Sequence, residues 1–101
     1  MKNDISLKDI IVLIFLDNRT KRSNDWEKKD LSFVEKYFNK KKINTRIYRL
    51  ENKKHIPTFK KFKIKIFPTI GVVYNGKELA RIEIKSGQRR DTLKFLLDGL
   101  F

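Results

Sequence analysis

The 101-residue sequence predicts an α/β fold: a mixed four-stranded sheet in the chain order β-α-β-α-β-β-α, with helices on both faces. Three observations carry that prediction. A continuous apolar run from Ile10 to Leu16 precedes a segment with helical apolar spacing and then a second strand-like segment, which together make a crossover. A proline-led, β-branched run from Pro68 to Tyr74 ends in Asn75-Gly76 and turns back into an alternating strand. Leucines spaced by three and four residues close the chain on an amphipathic helix. With no repeat, linker or low-complexity segment, a single domain over residues 1–101 is expected.

The run Ile10-Ile11-Val12-Leu13-Ile14-Phe15-Leu16 has strand length and no alternation, which predicts a central strand covered on both faces. Ile5 or Leu7 is expected in a short preceding segment that packs on it. The run is too short to cross a bilayer, and Asp17 follows it where a signal peptide would carry small residues. A cytoplasmic location is the resulting expectation. From Asp17 to Asp25 the chain reads as a polar loop carrying Arg19, Lys21 and Arg22. A helix is expected to begin near Ser23 or Asn24, with Asn24 and Glu27 spaced as a capping box and Asp25 suited to the positive helix end. Leu31, Val34 and Phe38, with Trp26, Phe33 and Tyr37, give its apolar face, and Lys40, Lys41 and Lys42 suit its C-terminus.

Ile43 to Leu50 alternates in part and reads as a strand parallel to the first. Glu51 to Phe62 is a connection with a short helix that Pro57 either starts or interrupts. Pro68 cannot donate to a ladder and belongs at a strand start, whereas Asn75-Gly76 supplies the two positive-φ positions of a tight hairpin. Glu78 to Ile84 is the returning strand. After a turn over residues 85–89, a last helix is expected from about Asp91 to Leu100, with Leu93, Leu96, Leu97 and Leu100 on one face.

From Lys61 to Gly76, then on to the closing helix, the chain resembles the second half of a thioredoxin. In Lys61-Phe62-Lys63-Ile64-Lys65-Ile66-Phe67-Pro68-Thr69 an aromatic and an isoleucine precede Pro68-Thr69 as they precede the family's cis-proline and threonine, and an apolar strand and Asn-Gly hairpin follow without a gap. Between Ile10 and Leu50 the order of elements agrees. The resemblance implies a thioredoxin-like fold with Pro68 in the cis form. It also locates the family's cysteine pair, at Thr20 and Ser23 counting forward from Phe15, or at Lys21 and Asn24 counting back from the helix face.

The chain has no cysteine at all. Thiol–disulfide exchange needs a thiolate, and a hydroxyl cannot replace one. The family's buried proton-accepting aspartate is also missing, because the matching stretch is Leu13-Ile14-Phe15. A redox-inactive member of the family is the expectation. No other chemistry suggests itself: His55 is the only histidine and is expected to be an exposed structural residue, the four glycines form no phosphate loop, and the glutamates make no acid/base pair. No enzyme, metal or other cofactor is expected.

What remains is surface. Carried over from the family, the substrate groove would be walled by Arg19-Thr20-Lys21-Arg22 with Ser23, by Lys65-Ile66-Phe67-Pro68, and by Lys85-Ser86-Gly87. Each wall brings a cation, and the helix N-terminus adds an anion site. The chain as a whole carries 25 Lys and Arg against 12 Asp and Glu, a net charge of +13. Such an excess selects acidic protein surfaces, nucleic acid or anionic membranes, unless AT-rich codon usage alone accounts for it. A protein partner in the groove around Pro68 is the leading expectation, with strand addition at the outer strand as a further docking route. Nucleic acid on a basic face is the second; the interleaved run Lys60-Lys61-Phe62-Lys63-Ile64-Lys65 has the mix of charge and aromatics such sites use, but the resemblance puts Phe62 and Ile64 at core positions, so the alternation reads first as core in, lysine out. Clustering of charge decides between them.

Overall fold

A computed structural model describes residues 9–85 and 89–100. Its elements are β1 (Ile10–Leu16), α1 (Lys21–Lys40), β2 (Asn44–Arg49), a 3₁₀ turn at Lys53–His55, α2 (Ile56–Lys61), β3 (Thr69–Tyr74), β4 (Lys77–Glu83) and α3 (Arg90–Gly99). The sheet order is β2-β1-β3-β4, so β1 is interior. β1 pairs parallel with β2, as the α1 crossover requires, and antiparallel with β3. β4 returns antiparallel to β3 through Asn75 (φ 52°) and Gly76 (φ 79°), the two positive-φ residues of the hairpin. Between Val72 and Val73 the register slips by one residue, leaving Leu79 in a bulge on the outer strand, 44% exposed.

Because side chains alternate across a strand, β1 divides its residues between two cores. Ile10, Val12, Ile14 and Leu16 face a larger core built from α1 and α3, with Trp26, Val34, Phe38, Leu93 and Leu97. Leu13 and Phe15 face a smaller one with Phe59 of α2, Ile64 and Val73. Phe15 is the centre of the smaller core. Its ring lies 5.1 Å from Phe59, edge-on, 5.8 Å from Tyr48, stacked, and 6.2 Å from Phe62. Helices on both faces and the seven-element order are as the sequence predicts.

Several expectations are refined. Pro57 starts α2, sitting in its first turn. His55, expected to be exposed, is half-buried: its Nδ1 accepts the backbone N–H of Arg49 at 2.9 Å, and its ring meets Tyr48 edge-on at 4.9 Å. It therefore locks the exit of β2 to the turn that follows. Phe62, read as a core residue, is only partly buried, whereas Ile64 is core. Ile5, Leu7, Ser86 and Gly87 lie outside the described residues. Among the described residues, no helix is long and apolar enough to cross a membrane.

α1 and α3 are joined at the surface by the hydroxyl of Tyr37, which donates to Asp98. Burial first, and then the hydrogen bond to Asp98, push the Tyr37 phenol up to about 12 from 10.0. The folded state thus holds this proton more tightly than the unfolded chain does. Its contribution to stability is complete below pH 10 and is lost as pH rises towards 12. Replacing Tyr37 by Phe should flatten the fall in urea midpoint between those pH values; an unchanged slope would exclude the phenol as its source. Phe15→Ala, which empties the centre of the smaller core, should cost about 3–5 kcal/mol by urea unfolding at neutral pH.

Candidate functional site

The junction between β1 and α1 is built by Asp17, not by the capping box expected further on. Asp17 is buried (4% exposed), and its carboxylate accepts the backbone N–H of Arg19 at 3.1 Å and the Arg19 guanidinium at 2.9 and 3.1 Å. Its own backbone carbonyl accepts the Thr20 hydroxyl at 3.0 Å, and its backbone N–H donates to the Ser23 hydroxyl at 2.9 Å. Thr20 is extended (φ −101°, ψ 137°) and caps α1, its hydroxyl accepting the N–H of Ser23 at 3.3 Å. The helix therefore starts at Lys21. Asn24 is inside it, its N–H donating to the Thr20 carbonyl at 3.1 Å. Glu27, expected to complete the capping box, instead takes both guanidinium nitrogens of Arg49 at 2.7 Å. The local sequence signal lost because a threonine backed by a buried carboxylate satisfies the first-turn donors four residues earlier.

Thr20 and Ser23 are thus joined across the first turn of α1. Both hydroxyls are committed. Thr20 donates to Asp17 and accepts from Ser23, and Ser23 is fully buried beneath it. Neither has a base in contact. Opposite them the Phe67–Pro68 peptide is cis. The Thr69 hydroxyl donates to the Ile66 carbonyl, and the Pro68 carbonyl accepts Ile84 N–H at 2.9 Å, which ties the bend to the end of β4.

Between the two walls lies an open groove of about 540 Å³, lined by Thr20, Lys21, Arg22, Lys65, Ile66 and Phe67. The structure thus brings together six of the residues the sequence nominates. The others do not line it: Arg19 folds back on Asp17, Ser23 and Pro68 are buried, and Lys85, exposed after Ile84, is not among its lining residues. Lys21 and Arg22 occupy the first turn of a 20-residue helix that has no acid there. Cations oppose the dipole at that end, where the nearby Asp17 carboxylate is already taken by Arg19. Among the described residues neither Lys21, Arg22 nor Lys65 forms a salt bridge. Asp17, which sequence reading left in a polar loop, is the organiser that was missed; its position between the end of the apolar run and a Thr-x-x-Ser step was the available signal.

The chain has the thioredoxin fold. Solved thioredoxins superpose on it over more than nine-tenths of this chain and about three quarters or more of their own length. Thioredoxin-2 of the malaria parasite, a component of its protein secretion machinery, has a TM-score of 0.64 at 23% identity, with 96% of this chain and 89% of that chain covered. Thioredoxin O2 from Arabidopsis thaliana gives 0.65 at 17%, covering 93% and 76%. Thioredoxin f2 in its complex with ferredoxin:thioredoxin reductase gives 0.64 at 18%, covering 92% and 78%. No family model matches the sequence, and no curated protein is significantly similar to it. With no cysteine in the chain, the fold is present without the thiols of disulfide exchange.

Arg19 is the first cause holding the Asp17 carboxyl below its ordinary value, through its side-chain hydrogen bonds, while burial works the other way. A depressed carboxyl stabilises the fold at pH above the unfolded value and loses that contribution as pH falls through the folded one. Arg19→Ala should therefore raise the Asp17 pKa and move acid unfolding to higher pH. Carboxyl NMR and a circular-dichroism titration would show both shifts, and an acid transition identical to wild type would remove Arg19 from this role.

Proposed function

We propose that this chain is a single-domain, non-catalytic thioredoxin-fold module that binds an extended, acidic segment of a partner protein in the groove beside cis-Pro68. One observation carries the reading. Where the fold would hold a thiol pair, the groove presents three cations without salt bridges, Lys21, Arg22 and Lys65, around an apolar wall of Ile66 and Phe67. The hydroxyls in the thiol positions serve structure: one caps α1 and the other anchors Asp17. An acidic, apolar-containing peptide would neutralise the cations that oppose the α1 dipole and cover the exposed edges of Ile66 and Phe67. The fold accepts protein partners in general, since thioredoxin f2 is solved in complex with ferredoxin:thioredoxin reductase.

Panning a random peptide library on the protein should enrich sequences in which Asp or Glu flanks a large apolar residue. The enriched peptide, fluorescently labelled, should bind Lys21→Gln/Arg22→Gln/Lys65→Gln at least about tenfold more weakly than wild type, in line with the loss of several charge-assisted contacts. Equal affinity for wild type and triple variant would dispose of the groove reading.

A further inference from the structure

The positive charge is not spread evenly over the molecule. α1 and α3 mix signs, with Asp25, Glu27, Asp30 and Glu35 on α1 and Asp91 and Asp98 on α3. Residues 52–77 carry seven lysines and no acid, more than half of the net charge of the chain in about a quarter of its length. That segment builds the face opposite α1 and α3, around the smaller core.

Three concavities of similar size follow one another along this face. The first is the groove beside Pro68, with Lys65 and the partly exposed Phe67. Next comes one of about 560 Å³ with Lys60, Lys63 and Lys65 over buried Phe59. The third, about 550 Å³, has Lys61, Lys63 and Lys77 beside the partly exposed Phe62. Lys65 lines the first and second, and Lys63 the second and third, so the three are contiguous. The one acid, Glu78, is consumed by Arg81 at 2.8 Å, and the Arg81 guanidinium also donates to the Phe62 carbonyl. Among the described residues, no salt bridge involves Lys60, Lys61, Lys63, Lys65 or Lys77.

We propose that this face is a binding track for single-stranded nucleic acid, running from the hairpin at Lys77 across α2 to the groove. A single strand offers one phosphate per unit at regular spacing and a planar base beside each. The track offers lysines in each concavity and a partly exposed phenylalanine at either end, Phe67 and Phe62, the latter with Lys61 Nζ 5.3 Å from its ring centroid; sequence-tolerant single-strand binders pair charge with aromatic side chains in this way. An acidic polypeptide would satisfy the lysines but leave the aromatic edges without a planar partner. The proposal does not depend on the peptide reading of the groove, because Lys61, Lys63 and Lys77 do not line it.

The test is fluorescence anisotropy of a labelled 20-nucleotide oligo(dT) and oligo(U), titrated with the full chain across a salt series. Wild type is expected to bind with a log–log salt slope of several units, since each phosphate neutralised on a single strand contributes about 0.7. Lys61→Gln/Lys63→Gln/Lys77→Gln should lower that slope by about two units and weaken binding at least about tenfold at fixed salt. A charge-matched control on the other face, Lys28→Gln/Lys29→Gln/Lys36→Gln, should leave both nearly unchanged. Should the track triple fail to fold by circular dichroism, Lys61→Gln/Lys77→Gln replaces it, with a slope change of about one unit expected. Equal losses in the two charge-matched variants would mean generic charge and overturn the proposal. So would absence of binding at low salt, or equal displacement of the oligonucleotide by polyglutamate of the same length.

Discussion

Burial of β1 on both sides is the constraint from which the rest of the molecule follows. A strand with no polar position cannot face water, so it must be interior, and its two faces must each be covered. Its even-numbered residues bring in α1 and α3, and Leu13 and Phe15 bring in α2 and the chain around Ile64. The parallel neighbour β2 comes from the crossover that α1 makes, and the antiparallel neighbour β3 completes pairing on the other edge. Both ends of the candidate site are then fixed to this strand: the α1 N-terminus leaves from its C-terminal end, and the Phe67–Pro68 bend opens the strand beside it.

The same strand end carries a polar knot that shapes the surface. Asp17 lies directly after Leu16, too close to the core to be solvated, and so takes its partners from the next six residues. The guanidinium of Arg19 neutralises it, which is why that arginine is absent from the groove even though its neighbours line it. The hydroxyls of Thr20 and Ser23 are consumed in the same network. The hydroxyls at the helix start thus serve architecture, and Lys21 and Arg22 are left lining the groove.

Division of charge between the two faces gives the molecule polarity beyond its net value. On α1 and α3 acids are near bases and pair with them across elements, as Asp30 does with Arg90. Around α2 there are no such partners between Asn52 and Lys77. Codon bias would raise lysine content everywhere; it gives no reason for a 26-residue segment with seven lysines to lack acids while the acids beside it, Glu78 and Glu83, pair with Arg81. The proposed peptide groove and the proposed track overlap on that face at Lys65 and Phe67, so an acidic peptide and a nucleic-acid strand would compete there.

The sequence determined the elements, their order and the fold, because each rested on a signal local in the chain: continuous apolarity in β1, helical spacing in α1 and α3, proline and Asn-Gly punctuation around β3. It also determined that disulfide exchange is closed, since that depends on composition alone. Only the tertiary structure decided where α1 begins, because the competition between Thr20 and Asn24 as caps is settled by a carboxylate buried at the end of β1. It likewise decided that His55 and Arg19 serve the scaffold, since their partners, the β2 backbone and Asp17, are set by packing. And it alone decided that Lys61, Lys63 and Lys77 adjoin. Charges 14 to 16 residues apart in sequence meet only when the β3–β4 hairpin folds back beside α2, a long-range contact that no window along the chain contains.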